Sequence, residues 1–158
     1  MIENAQALIT DFEAALGAPL ATPISHEPQL APHRGHKLPE GMCAVYVFSL
    51  SKNYGDRVPA GRNRILKVGK AGCDSNARFQ SQHYNPSSAP SNLAHSLLEA
   101  KIFWPYLGIT EISEASVRSW IEENTDRDNF YLSASDASRL GRLEIYLRGR
   151  LGPVFEGG

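Results

Sequence analysis

The chain lacks any cysteine pattern that would staple or metallate it: of its 158 residues, two are cysteine, Cys43 and Cys73. They have neither the numbers of a disulfide framework nor the spacing of metal ligands, so they read as two buried or half-buried thiols without chemistry. No apolar run approaches the ~18 residues that a membrane-spanning helix needs. The N-terminal MIENAQALITDFEAALG is acidic and amphipathic, unlike a secretion signal. The expectation is a soluble, cytoplasmic protein with no membrane contact. A large excess of charge is also missing: 16 Lys+Arg face 17 Asp+Glu, a net charge of −1, which argues against a general polyanion binder. The length suits one domain with appendages.

What the chain does have is a local concentration of cations. Residues 1–40 carry two Lys/Arg against five Asp/Glu, net −3, and residues 85–158 carry seven against ten, again net −3. Residues 41–84 carry seven against two, net +5, centred on the stretch RILKVGKAGCDSNAR at 64–78.

Periodicity places the elements around that stretch. Ile2, Ala5, Leu8, Ile9, Phe12, Ala15 and Leu16 recur at helical spacing until Gly17 and Pro19 stop them, which predicts an N-terminal helix. Residues 18–41, with five prolines and three histidines, read as a loop or arm. In so irregular a segment His33 and His36 read as solvated loop histidines rather than a metal pair. Met42–Leu50 and Arg64–Gly69 read as strands joined by a long hairpin loop. Alternation puts Val45 and Val47 with Leu66 and Val68 on one aliphatic, core-facing side. Ala44, Tyr46 and Phe48 then share the other side with Ile65, Lys67 and Gly69. After Gly72, Asp74 or Ser75 caps a helix running to Tyr84 that carries Arg78. Further helices are expected within 91–124, a third strand at Phe130–Leu132, and a last helix at Asp136–Leu151 with Glu144 beside its leucine stripe. The fold class is α/β in the α+β sense, a small three-stranded antiparallel sheet flanked by helices. An N-terminal helix and Pro/His-rich arm (1–40) precede a domain over 41–158 that has a helical insertion at about 85–127.

A phosphate-cradling loop fails on spacing, because VGKAG contains neither G-x-x-x-x-G-K-[ST] nor G-x-G-x-x-G. The order of elements is more informative. A strand with AVYVF, a hairpin to a strand with LKVGKA, a helix with Arg78, a further strand, and a helix with Glu144 ending in RLGPVFEG resemble the GIY-YIG nuclease superfamily. The N-terminal incision domain of the bacterial excision-repair endonuclease is the particular likeness, over residues 41–84 and 128–157. Tyr46 matches the first-motif tyrosine, with Ala44 where the family has glycine. Lys67-Val68-Gly69 match the second motif, with lysine in place of its tyrosine. Arg78 matches the helical arginine, Glu144 the metal-binding glutamate, and Glu156 the terminal asparagine.

The resemblance implies a metal-dependent endonuclease hydrolysing phosphodiester bonds in DNA, with RNA left open as substrate. It implies one divalent ion, Mg²⁺ or Mn²⁺, held by Glu144, with Arg78 on phosphate and Tyr46 activating or positioning water. The departures leave a second function open, a GIY-YIG-fold nucleic-acid-binding module with weak or no turnover. A cation beside Tyr46 favours the phenolate, so Lys67 either supports Tyr46 or replaces the missing tyrosine as a water or phosphate contact. Lys70, Arg57, Arg62, Arg64 and His83 flank this site as candidate nucleic-acid contacts. The alternatives are a solvated turn lysine for Lys70, solvated loop arginines, a structural role for His83, a boundary carboxylate paired with Arg148 at i+4 for Glu144, and a tail residue for Glu156. So small a domain offers little area for reading a sequence, which leaves specificity to the insertion, the arm, a partner or a homodimer.

Overall fold

The computed structural model describes residues 2–55, 64–88 and 92–155. A four-stranded antiparallel sheet in the order β1-β4-β2-β3 is built from β1 (Ser25–Gln29), β2 (Met42–Leu50), β3 (Ile65–Ala71) and β4 (Thr125–Ser133). The helices are α1 (Ala5–Ala15), α2 (Lys52–Gly55), α3 (Asn76–Gln80), α4 (Leu93–Glu99), α5 (Trp104–Leu107), α6 (Val117–Asn124) and α7 (Leu140–Leu151). Among the described residues no helix is long and apolar enough to cross a membrane.

β2 is rich in β-branched and aromatic residues, lies between two strands, and is buried along nearly its whole length. Helices cover both of its faces. Cys43, Val45 and Val47 pack with Val68, Phe130 and Leu132 beneath Leu8, Ile9 and Phe12 of α1 and Leu140, Leu143 and Leu147 of α7. Ala44, Tyr46, Phe48 and Leu50 pack with Phe79 of α3, Leu93 and Leu97 of α4, and Val117 and Ile121 of α6. Residues read as an insertion therefore roof the face that carries Tyr46.

The sheet has four strands rather than the expected three, because β1 lies within the stretch read as a loop. Its SHEPQ has no apolar alternation and pairs with β4 at the sheet's edge. There a proline is tolerated, and Pro28 stands opposite Asp128. β4 also begins at Thr125, earlier than Phe130, through a charged run that hydropathy does not suggest. Each buried aspartate in that run is answered: Asp128 bonds His26 Nε2 at 2.8 Å and the Ile2 amide at 3.0 Å, and Asp126 accepts from the Ala31 amide at 3.0 Å.

Simple alternation fails at one point on β3. A bulge between Phe48 and Ser49 pairs Phe48 with Lys67 but Ser49 with Ile65. The extra residue, Leu66, packs on the Tyr46 side, and Ile65 packs against the valine side, the reverse of the sequence expectation. Lys67 keeps its predicted face. A helix start differs as well. A 3₁₀ segment, Ala134–Arg139, capped by Ser133, precedes α7, which therefore begins at Leu140 rather than Asp136.

Candidate active site

β2 supplies Tyr46, β3 supplies Lys67 and Lys70, α3 supplies Arg78, and α7 supplies Glu144. The helix expected over 77–84 is in fact α3 followed by a 3₁₀ turn at Gln82–Tyr84. That change of winding swings His83 onto Tyr46, where a continuous α-helix would have turned it partly away.

The Tyr46 hydroxyl is buried and has three partners. The Leu93 amide donates to His83 Nδ1 at 3.3 Å. That nitrogen therefore carries no proton, and the neutral imidazole donates from Nε2 to Tyr46 Oη in a short hydrogen bond. Arg78 Nε donates to the same oxygen at 3.4 Å, and the phenol gives its own proton to the Lys70 carbonyl at 3.3 Å. Burial, aided by Arg127, Lys67 and Arg78, holds the His83 pKa well below the usual range, consistent with this neutral tautomer. Burial also raises the Tyr46 pKa, opposed by Arg78 and Arg127. The sequence expectation that Lys67 would lower it is overturned, because desolvation outweighs the cations.

Gly69 is required by Tyr46. A Cβ there would lie 2.7–2.9 Å from the tyrosine's ring and hydroxyl. Gly69 and Tyr46 thus form one packing unit across the β2–β3 ladder, where they are paired.

Lys67 is only 2% exposed, and its Nζ has no hydrogen-bond partner among the described residues. Burial, with Arg78 and Arg148 nearby, lowers its pKa to about 8. Lys70 is half-exposed and bonds Glu144 Oε2 at 2.7 Å, with Glu144 itself 15% exposed. Among the described residues no group of three or more His, Cys, Asp or Glu could hold a metal. Glu144 fits only the kind of Mg²⁺ site in which one carboxylate is joined by water and substrate phosphate. In such a site the Lys70 ammonium would share or yield its oxygen.

The remaining candidates are dispersed. Arg64 donates to the carbonyls of Leu50, at 3.2 Å, and Ser51, so it clamps the strand end. His83 is buried and bonded to Tyr46, away from any surface-bound strand. Arg57, Arg62 and Glu156 lie outside the described residues. Cys43 and Cys73 are free thiols, and burial together with Cys73 pushes the Cys43 thiol up to about 12.

Sequence reasoning missed Arg127, which is fully buried under the site. Its guanidinium stacks 4.2 Å from the Phe79 ring and 5.0 Å from the Tyr46 ring. It donates to Asn129 Oδ1 at 2.9 Å and to Tyr84 Oη at 3.3 Å. From Tyr84 a directed chain continues to His33 Nδ1 at 3.2 Å, from His33 Nε2 to Thr125 Oγ1 at 3.0 Å, and from Thr125 to the Ile121 carbonyl at 2.7 Å. His33 is accordingly a buried structural group rather than a solvated loop histidine. His36 bonds Gln29 at 2.8 Å and Tyr131 Oη at 3.0 Å. No sequence signal marked Arg127: the expected strand began at Phe130, and the pairing of Arg127 with Phe48 exists only in the sheet register.

No family model, curated protein or solved structure matches the chain.

Proposed function

We propose that the protein is a metal-dependent endonuclease of the GIY-YIG type that hydrolyses phosphodiester bonds in DNA. The observation that carries this reading is convergence: Tyr46 of β2, Lys67 and Lys70 of β3, Arg78 of α3, His83 of the 3₁₀ turn and Glu144 of α7 come together around the β2–β3 ladder.

The chemistry assigns them distinct tasks. Phosphodiester hydrolysis needs a positioned water, cations against the phosphoryl oxygens, and help for the departing alkoxide. Arg78 commits Nε to Tyr46, and the rest of its guanidinium is a planar fork suited to phosphate. Tyr46 keeps its proton on the Lys70 carbonyl, so in this state it aligns Arg78 and is not a free base. Lys70 is the exposed cation at the rim. Mg²⁺ or Mn²⁺ held by Glu144 would supply charge neutralisation at the phosphoryl group.

One observation favours a binding module without turnover. Tyr46 is fully buried and fully bonded, and the second-motif tyrosine is a buried lysine. Plasmid nicking with Mg²⁺ or Mn²⁺ separates the two readings. Cleavage by wild type that is lost in Glu144→Ala and Arg78→Ala supports the endonuclease. Binding without cleavage in the wild type supports the module, and equal cleavage by all three proteins removes the site from consideration.

A further inference from the structure

On the face of the sheet away from Tyr46, the two cysteines of the chain stand together. Cys43 is fully buried in the valine-side core, and the half-buried Cys73 packs against that same core. The register brings the chain segments together: Ala44 pairs with Ala71, so Cys43 falls beside Gly72, one residue past the last paired position. A strand running on from there would point Cys73 to the Tyr46 face. β3 instead ends at Ala71 and a tight turn follows, in which the Ser75 amide donates to the Gly72 carbonyl at 2.9 Å. That turn swings Cys73 back to the Cys43 side, and the two side chains are in hydrogen-bond contact.

We propose that Cys43 and Cys73 are a redox pair that closes a reversible disulfide between the start of β2 and the turn into α3, with a hydroperoxide as oxidant. Closure would tie the first residues of β2 to the turn that leads into the helix carrying Arg78. One partner is reachable from solvent, which places the bond among the reducible disulfides rather than the sealed structural ones. Nothing in this chemistry depends on the endonuclease reading.

The half-exposed Cys73 meets the oxidant first. Its thiolate attacks one peroxide oxygen and the O–O bond breaks; the departing hydroxide takes up the proton that the thiol released, giving water and a Cys73 sulfenic acid. The Cys43 sulfur then attacks the Cys73 sulfur. An S–S bond forms, the S–O bond breaks, and the hydroxyl leaves as water with the Cys43 proton. The two thiols have passed two electrons to the peroxide, and water is the only other product. Burial and the Cys73 contact keep the Cys43 thiol protonated, so this second step is the slower one. A dithiol reductant reopens the bond by exchange.

Intact-mass spectrometry of the full chain, after stoichiometric hydrogen peroxide and again after dithiothreitol, reads the reaction. The expected product is a monomer lighter by two hydrogens with no titratable thiol, and dithiothreitol restores both thiols. Non-reducing peptide mapping should join Cys43 to Cys73. Closing a loop of roughly 30 residues should raise the urea midpoint by roughly 1.5 M. Cys73→Ser should leave Cys43 unreacted at the same dose, and Cys43→Ser should stop at a sulfenic acid that dimedone traps. Should Cys43→Ser fail to fold, the wild-type map and Cys73→Ser decide. A wild-type product heavier by oxygen with Cys43 still a thiol, a disulfide-linked dimer, or no reaction overturns the proposal. An unchanged or lowered urea midpoint does so too, because the bond would then have formed only by distorting the fold.

Discussion

Replacing Lys67 with methionine should make the protein more stable, an unusual outcome for so deeply buried a residue. Methionine keeps most of the side-chain length and removes an ammonium that has no partner in the described fold. Loss of a buried, unsatisfied polar group typically returns ~1–3 kcal/mol. A fall in pKa from 10.5 to about 8, at ~1.4 kcal/mol per tenfold change in proton affinity, sets a ceiling of about 3 kcal/mol. An expected gain of about 2 kcal/mol would raise the urea midpoint by about 1 M for an m-value near ~2 kcal/mol/M.

The pH dependence makes the test sharper. Between about pH 8 and 10.5 the unfolded chain holds a proton on Lys67 that the native chain has released, so wild-type stability climbs with pH across that window. The methionine variant has no such proton. Its advantage is full below pH 8 and falls to roughly a quarter by pH 10. Equilibrium urea unfolding at pH 7 and pH 10 measures both quantities. A variant less stable than wild type at pH 7, or a gap that does not change with pH, refutes the reasoning.

Two further outcomes follow from the packing. Gly69→Ala should cost about 2–4 kcal/mol in urea unfolding, because the added methyl collides with the Tyr46 ring. Combining it with Tyr46→Ala should cost clearly less than the sum of the two. His33, whose pKa burial and Arg127 lower to about 4, should stay neutral at pH 5 by NMR. The unfolded chain takes up that proton first, so stability should fall by about 2–3 kcal/mol as pH drops from 6.5 to 4, and His33→Gln should flatten this slope.

Several features were legible from local pattern alone. Strand alternation placed Tyr46 and Lys67 on one face, and the register confirms it, with Tyr46 opposite Gly69 and Phe48 opposite Lys67. The leucine stripe of α7 and the amphipathic α1 also lie where helical periodicity puts them, because a period of 3.6 depends only on the backbone. Other features depended on what the remote chain supplies. β1 is visible only as the backbone partner of β4, since an edge strand needs no apolar face.

Arg127 and Asp128 were unreadable as core residues, because a charge becomes buriable only when distant groups answer it. Rings from β2 and α3 answer the first, and His26 and the Ile2 amide answer the second. The same division runs through the candidate site. Strand alternation determined that a tyrosine and a lysine would share one face, and only the family resemblance set Arg78 beside them. The tertiary structure decided their protonation and their partners. It buried Tyr46 and so raised its pKa, turned His83 onto it through a change from α to 3₁₀ winding, and enclosed Lys67 among cations. Desolvation and long-range charge have no one-dimensional signature, which is why these outcomes belong to the fold.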